Sequence, residues 1–108
     1  PAGRVKIIGG LSRFYCNIVA GSATIDIGNQ AYVNTSGDTV AEDVDSMVDG
    51  LDVDTAGYFT MEGNTAAQKL LGGNHKFDSK DGVVIQIKSI QALANDDDVD
   101  GVITYVLD

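Results

Sequence analysis

The chain is a series of short apolar runs separated by glycine-containing turns. Its 108 residues include 13 glycines and one proline. Asp-Gly pairs occur at 49–50, 81–82 and 100–101, and a Ser-Gly pair occurs at 36–37. Such pairs are typical of tight turns, because glycine supplies a positive φ and aspartate bonds its own backbone. The intervening runs are rich in β-branched and aromatic residues, so the pattern predicts short strands.

Several of these runs alternate between apolar and polar residues with a period of two. Ile25 and Ile27 would share one face of a strand, as would Ile85 and Ile87. A chain of this length can bury roughly two-thirds of its unfolded surface, which is enough for one core. We therefore predict a single all-β domain over residues 1–108, a small β-sandwich or barrel of about seven to eight short strands.

Two segments differ from this pattern. Residues 65–71 contain good helix formers, with Asn64 or Thr65 as the capping residue and Gly72 and Gly73 as a stop, so they predict one short helix. Residues 42–54 have apolar positions at helical spacing, but aspartates and a glycine interrupt them. This second segment is predicted to be mostly loop with short pieces of strand.

Two hairpins are also predicted from the order of the runs. The strand at 23–27 would turn at "GNQ" and pair with the strand at 31–34. The strand at 83–93 would turn at "ANDDDVDG" and return as the strand at 102–108. Both predictions rest on the tendency of neighbouring antiparallel strands to pair with each other.

The acidity of the chain limits its partners. The net charge is −9, and only seven residues are Lys or Arg. Binding to nucleic acid requires a clustered basic surface, so no nucleic-acid partner is expected. The negative charge also disfavours anionic membrane surfaces, and no apolar segment is long enough to span a bilayer, so no membrane association is expected.

The single cysteine and the start of the sequence suggest where the protein is made. Cys16 lies in an apolar run, cannot form a disulfide within the chain, and is predicted to be a buried apolar residue. Pro1 is a residue type that remains when an initiator methionine is removed, so we expect a natural start here and no secretory leader. We therefore expect synthesis in a cytoplasm without export by the usual route.

The densest charge lies in "NDDDVDG", where a candidate calcium loop can be aligned. Asp96, Asp98 and Asp100 occupy the first, third and fifth positions of an EF-hand type loop, Gly101 the sixth, and the carbonyl of Val102 the seventh. The bidentate glutamate of the twelfth position is missing, and the flanks resemble strands rather than helices. Calcium is therefore a candidate ligand of this loop, and no other cofactor is expected.

Two other interpretations of this stretch remain open. The aspartates can form a water-exposed hairpin tip, where screening reduces their repulsion to about 1 kcal/mol or less per pair. They can also contact a basic surface of a partner. The hairpin interpretation requires no metal.

No pattern in the chain indicates catalysis. The acidic segment 42–54 contains paired carboxylates, but nothing in the sequence predicts the cleft that would raise the pKa of one of them. His75 is the only histidine and is predicted to be a surface-loop residue. The sequence contains neither a Gly-x-Ser-x-Gly elbow nor a His-Glu-x-x-His motif. We therefore predict that the protein is not an enzyme.

Residues 20–40, "AGSATIDIGNQAYVNTSGDTV", resemble the head decoration (cement) proteins of bacteriophages. That family shows a small-residue approach, a short "TI-x-I-G" strand, an "AYVN" strand and a glycine turn. The resemblance covers about a fifth of the chain. It implies a β-rich structural protein, commonly trimeric, that binds the major capsid protein on the outside of the phage head.

Membership of this family would give the N-terminal segment a role. In decoration proteins an extended N-terminal arm often contacts the shell, and residues 1–10 are the matching segment here, with a simple first strand as the alternative. The partner-binding residues would be Arg4, Val5, Lys6, Ile7 and Ile8. The location implied is the capsid surface of the virion. The alternatives are a calcium-binding β module of a surface or adhesive protein, and another phage structural protein such as a tail or head-completion subunit.

Overall fold

The fold consists almost entirely of short antiparallel strands. The computed structural model describes residues 1–17, 24–53, 57–61, 75–89 and 97–108, which contain eleven strands and one 3₁₀ turn, Gly9–Leu11. The all-β prediction is confirmed, and the predicted helix at 65–71 lies outside the described residues. The strands are β1 (Gly3–Ile7), β2 (Arg13–Asn17), β3 (Thr24–Asn29), β4 (Tyr32–Val33), β5 (Thr39–Val40), β6 (Asp43–Asp52), β7 (Gly57–Thr60), β8 (Lys76–Ser79), β9 (Ile85–Ser89), β10 (Asp98–Val102) and β11 (Tyr105–Leu107).

These strands form three sheets of three strands each and one two-stranded ribbon. Sheet I has the order β11-β1-β8, sheet II the order β10-β2-β7, and sheet III the order β6-β3-β9. The ribbon joins β4 and β5 through the predicted turn at Ser36-Gly37, where Gly37 has a φ of +90°. All pairings are antiparallel.

Both predicted hairpins are wrong. β3 pairs with β6 and β9, whereas β4 pairs with β5. β9 pairs with β3, while β10 pairs with β2 and β11 pairs with β1. The central strand of each sheet therefore takes its neighbours from distant parts of the chain, and local strand order does not determine the pairing.

The C-terminal run that was predicted as one strand is divided at Thr104. The Thr104 amide donates to the Ser12 Oγ at 3.0 Å, and its carbonyl accepts from the Ile8 amide at 2.8 Å. The Thr104 hydroxyl also donates to the Leu11 carbonyl at 2.9 Å. Ile8 and Ser12, which flank the 3₁₀ turn, therefore form hydrogen bonds with the Thr104 backbone. As a result β10 ends before Thr104 in sheet II, and β11 begins after it in sheet I.

The acidic segment predicted to be loop is instead the ten-residue strand β6. Ile25 pairs with Leu51 and Ile27 pairs with Val48, so two steps along β3 match three steps along β6. The extra residue marks a β-bulge. A second register shift follows between the pairs Ile27–Val48 and Asn29–Asp43, and there the adjacent residues Met47 and Val48 are both fully buried. The bulge hides the alternation that would have indicated a strand.

One apolar core joins the three sheets. Its buried side chains are Val5, Ile7, Phe14, Cys16, Ile25, Ile27, Met47, Val48, Leu51, Val53, Met61 and Phe77. They come from β1 and β8 of sheet I, β2 of sheet II, and β3 and β6 of sheet III, with Val53 and Met61 adjacent to strands. Complete burial of one such side chain stabilises the fold by about 1.5–3 kcal/mol.

Candidate interaction surface

The aspartates of the candidate calcium loop lie on an extended strand. Asp98, Asp100 and Val102 are alternate residues of β10, so they share the outer face of sheet II. They lie opposite Asn17, Tyr15 and Arg13 of β2, respectively. Asp96 is outside the described residues.

This geometry differs from the predicted ion-binding loop. An EF-hand type loop curls so that its oxygens lie 2.3–2.6 Å from one ion, whereas alternate residues of a strand are about 6.8 Å apart along the backbone. Within the described part of the chain, no three His, Cys, Asp or Glu side chains are grouped closely enough to hold a metal ion. Calcium binding stays a prediction, which would involve Asp96.

The segment predicted to contact a partner, residues 4–8, is largely built into sheet I. Val5 and Ile7 are buried in the core, and β1 is paired on one side with β11 and on the other with β8. Gly3–Ile7 is therefore the first strand rather than a free arm, because neither edge of its backbone is open to another chain.

The outer face of sheet II carries two tyrosines, of which Tyr15 is half-buried and Tyr58 is exposed. Tyr15 of β2 and Tyr58 of β7 are direct neighbours across the ladder, and their ring centroids are 5.0 Å apart with the planes tilted by 52°. The Arg13 guanidinium lies 5.9 Å from the centroid of the Tyr58 ring. Tyr58 is 74% exposed. Tyrosine and arginine are among the residue types that are enriched at protein interfaces.

Apolar and acidic side chains lie at opposite ends of this face. Leu11 and Val102 are 62% and 66% exposed and lie at one end. Asp98 is exposed at the other end, and the exposed Asp100 lies opposite Tyr15 between them. A groove of about 680 Å³ runs across the sheet, and Leu11, Tyr15, Asp100 and Val102 are among its lining residues.

A second apolar surface lies along β11, the edge strand of sheet I. Tyr105 and Leu107 lie opposite Ile7 and Val5, so they share the core-facing side of that sheet. Nevertheless Leu107 is 74% exposed. Beside this strand is a cavity of about 190 Å³ with mostly apolar walls, which include Phe77 and Tyr105.

His75 is not the surface-loop residue that was predicted. It is half-buried, and its ring centroid lies 4.5 Å from that of Phe77. Burial lowers the pKa of the imidazole, and the negative charge of Asp43 partly opposes that effect. The neutral imidazole is therefore favoured in the folded protein.

Cys16 is buried, as predicted, and its raised pKa makes the thiol a poor nucleophile. It lies in β2 beneath the outer face of sheet II and is only 1% exposed. Burial raises its pKa to about 11. Because thiolates are the nucleophilic form, this residue is a core side chain and not a candidate nucleophile.

The second acidic segment contains one interacting pair of carboxylates. A hydrogen bond with the Asp43 side chain raises the pKa of Asp45, and burial and the charges of Asp49 and Asp26 act in the same direction. The Asp45 amide also donates to the Asp43 Oδ1 at 3.4 Å. The pair lies at the exposed start of β6, and its geometry does not indicate a substrate.

Sequence reasoning missed the tyrosine pair of sheet II, although the chain contains a signal for it. The order is Phe14-Tyr15 in β2 and Tyr58-Phe59 in β7. Two antiparallel strands with reversed order place like residues opposite each other, and the Phe14 and Phe59 rings stack 5.3 Å apart on the inner face. The same register brings the tyrosines together outside.

Two further observations concern membrane-spanning helices and known proteins. In the described ranges, no helix has the length and apolar character that a membrane crossing would need. Comparison with protein-family models, with curated proteins and with solved structures found no match for this chain.

Proposed function

We propose that this protein is a non-enzymatic structural component of a virion, a capsid decoration protein that binds the outside of a phage head and stabilises it. The resemblance of residues 20–40 to that family supports the proposal, and so do the all-β fold and the net charge of −9. An acidic protein is best placed on the outer surface of a shell, away from the charge of the packaged genome.

The observation that carries the proposal is the apolar edge strand β11. Tyr105, Val106 and Leu107 are each at least 46% exposed. An exposed apolar edge strand is an aggregation hazard unless something covers it, and strand addition by a partner is one common solution. In a decoration protein, the covering surface would be the major capsid protein or another copy of this chain in a trimer.

The cavity beside β11 supports a protein partner in preference to a small molecule. Its volume of about 190 Å³ is below the range of about 300–1,000 Å³ that is usual for ligand pockets. A space of this size suits one apolar side chain of a partner that packs against Tyr105. Repetition of such a contact over a lattice would convert a modest affinity per site into a durable shell.

The presence of the chain in purified particles tests the proposal. Virus particles from the source culture would be banded by density, and the chain would be quantified by mass spectrometry against the major capsid protein. We expect a fixed stoichiometric ratio, and particles that lack the chain should release their genome at a lower temperature. Absence of the chain from the density-purified particles of the source culture would contradict the proposal.

A pair of variants tests the role of β11 in that binding. Leu107→Asp places a charge on the exposed edge strand, whereas Val84→Asp places one on an exposed apolar residue outside β10 and β11. We expect only the Leu107 variant to lose binding to particles that lack the protein. Light scattering after size exclusion would show whether the unbound chain is a trimer.

A further inference from the structure

We infer that the outer face of sheet II is a docking site for a protein segment that presents a basic side chain next to an apolar one. The basic side chain would lie beside Tyr15, against Asp98 and Asp100. The apolar side chain would contact Leu11 and Val102. The identification of the partner as a capsid subunit rests on the proposed function, whereas the chemistry of the face is argued from its own residues.

The charges of the face indicate a cationic ligand. Asp98 and Asp100 are exposed, and among the described residues neither has a Lys, Arg or His nitrogen within 4 Å. The nearest basic residue of the face, Arg13, lies opposite Val102 and is directed to the Tyr58 ring. The two carboxylates therefore exceed the local positive charge, and the net charge of −9 acts in the same direction.

The aromatic rings define where the cation would lie. Tyr15 is directly opposite Asp100, so a guanidinium or ammonium group at this point can contact a ring and a carboxylate together. Arg13 already lies near Tyr58 and would repel a second cation there. The incoming basic group is therefore directed to the aspartate side of Tyr15.

The aliphatic end of the groove favours a protein over a carbohydrate. Sugars stack on aromatic rings and hydrogen-bond to carboxylates, so the tyrosines and aspartates alone would suit either ligand. Leu11 and Val102 are more than 60% exposed in the same groove, and they have no polar atom to offer a sugar. A flexible protein segment can place an apolar side chain on them and so remove their surface from water.

Peptide titration followed by NMR tests the inference on the intact chain. The probe is acetyl-Leu-Gly-Arg-Gly-Leu-amide, and the control is the same peptide with Glu in place of Arg. We expect amide shifts at residues 13–17, 57–60 and 98–102 with the arginine peptide only. Binding should weaken as salt increases, because the contact is charged and exposed.

Variants identify which side chains carry the binding. Asp100→Asn and Leu11→Ala should each weaken it by roughly five- to tenfold. Asp81→Asn removes the same charge from an exposed residue outside sheet II and should have no effect. Leu11 is mostly exposed, so its variant should fold, and the dispersion of the spectrum checks this.

Three outcomes would overturn the inference. They are equal binding of the two peptides, shifts confined to residues outside both sheet II and the 3₁₀ turn, and preferential binding of a neutral oligosaccharide such as cellohexaose at this face. Each can occur whether or not the chain is present in virus particles, so failure of this inference is distinguishable from failure of the proposed function.

Discussion

Gly101 lies directly opposite Phe14 in the ladder between β10 and β2, and the Phe14 ring fills the space that a side chain at position 101 would occupy. This close approach explains why a glycine occupies position 101 of the strand. The glycine allows the Phe14 ring, which is 2% exposed, to lie flat in the core beside Phe59.

Gly101→Ala should therefore destabilise the protein by about 1–3 kcal/mol, the usual cost of overpacking. A Cβ at this position would overlap the Phe14 ring, which cannot move without disturbing its stack with Phe59. Urea unfolding followed by circular dichroism measures the change. Gly57→Ala in the same sheet is the matched control, because its Cβ would meet no atom of the described residues within 4 Å. Equal stabilities of the two variants would contradict this packing.

Gly28→Ala should be more damaging than Gly101→Ala. A Cβ at Gly28 would overlap the backbone of Asp43 and Val44, and backbone yields less readily than a side chain. We expect a loss of about 3 kcal/mol or more, which is the upper end of the overpacking range. Thermal melting measures it, and a melting temperature close to that of the unmodified protein would show that β3 and β6 do not pack this closely.

Cys16 should react with thiol reagents only after unfolding. Its pKa of about 11 leaves roughly one thiol in a thousand ionised at pH 8, and its burial excludes the reagent. Ellman's reagent should label the native protein over hours and the urea-unfolded protein within seconds to minutes. Rapid labelling of the native protein at this pH would place the residue at the surface.

His75 should make stability depend on pH between neutrality and mild acid. Its pKa in the folded protein is lowered from 6.5, so the unfolded chain binds the proton more tightly. The stability associated with His75 is complete above pH 6.5 and falls as the pH drops towards the lowered value. His75→Gln should remove this part of the pH dependence. A proton NMR titration of the single histidine measures the direction of the pKa shift. A midpoint at or above 6.5 would contradict the lowered pKa.

Calcium should leave the melting temperature unchanged if β10 keeps its extended backbone in solution. The strand separates Asp98 and Asp100 along its length instead of curling them round an ion. Differential scanning fluorimetry with calcium and with EDTA tests this, with Asp98→Asn as the variant that removes a candidate ligand and Asp81→Asn as the control for a loss of charge alone. A rise in melting temperature with calcium that only Asp98→Asn abolishes would instead support a metal site in the loop at 96–102.

The all-β class could be predicted because it depends on local properties of the chain. Alternation at Ile25 and Ile27 and the turn at Ser36-Gly37 reflect the preferences of a few adjacent residues, and both appear in the structure as predicted. The burial of Cys16 could be predicted for the same reason, because an apolar run with period two buries every second residue.

The strand pairing could not be predicted, because it depends on contacts between distant residues. Thr104 divides the last run only because Ser12 and Ile8 form hydrogen bonds with its backbone. Two register shifts against β3, one of them beside the buried residues Met47 and Val48, remove the alternation from β6. Neither effect has a signal within the segment that it changes.

The candidate interaction surface was predictable only in part. The aspartates at 98 and 100 were identified from their density, but they were assigned to a turn. The tyrosines at 15 and 58 required the register between β2 and β7, which follows from the reversed order of their Phe-Tyr pairs once antiparallel pairing is assumed. The buried positions of Val5 and Ile7 required knowledge of β11 and β8, which pair on either side of them.

The position of β1 between β8 and β11 also has a consequence for biosynthesis. β1 leaves the ribosome well before β11, which is synthesised roughly a hundred residues later. The apolar side chains of Val5 and Ile7 therefore stay uncovered on that side until β11 has been synthesised. Sheet I cannot be completed before that point, and a nascent chain stalled before β11 should be a good substrate for chaperones.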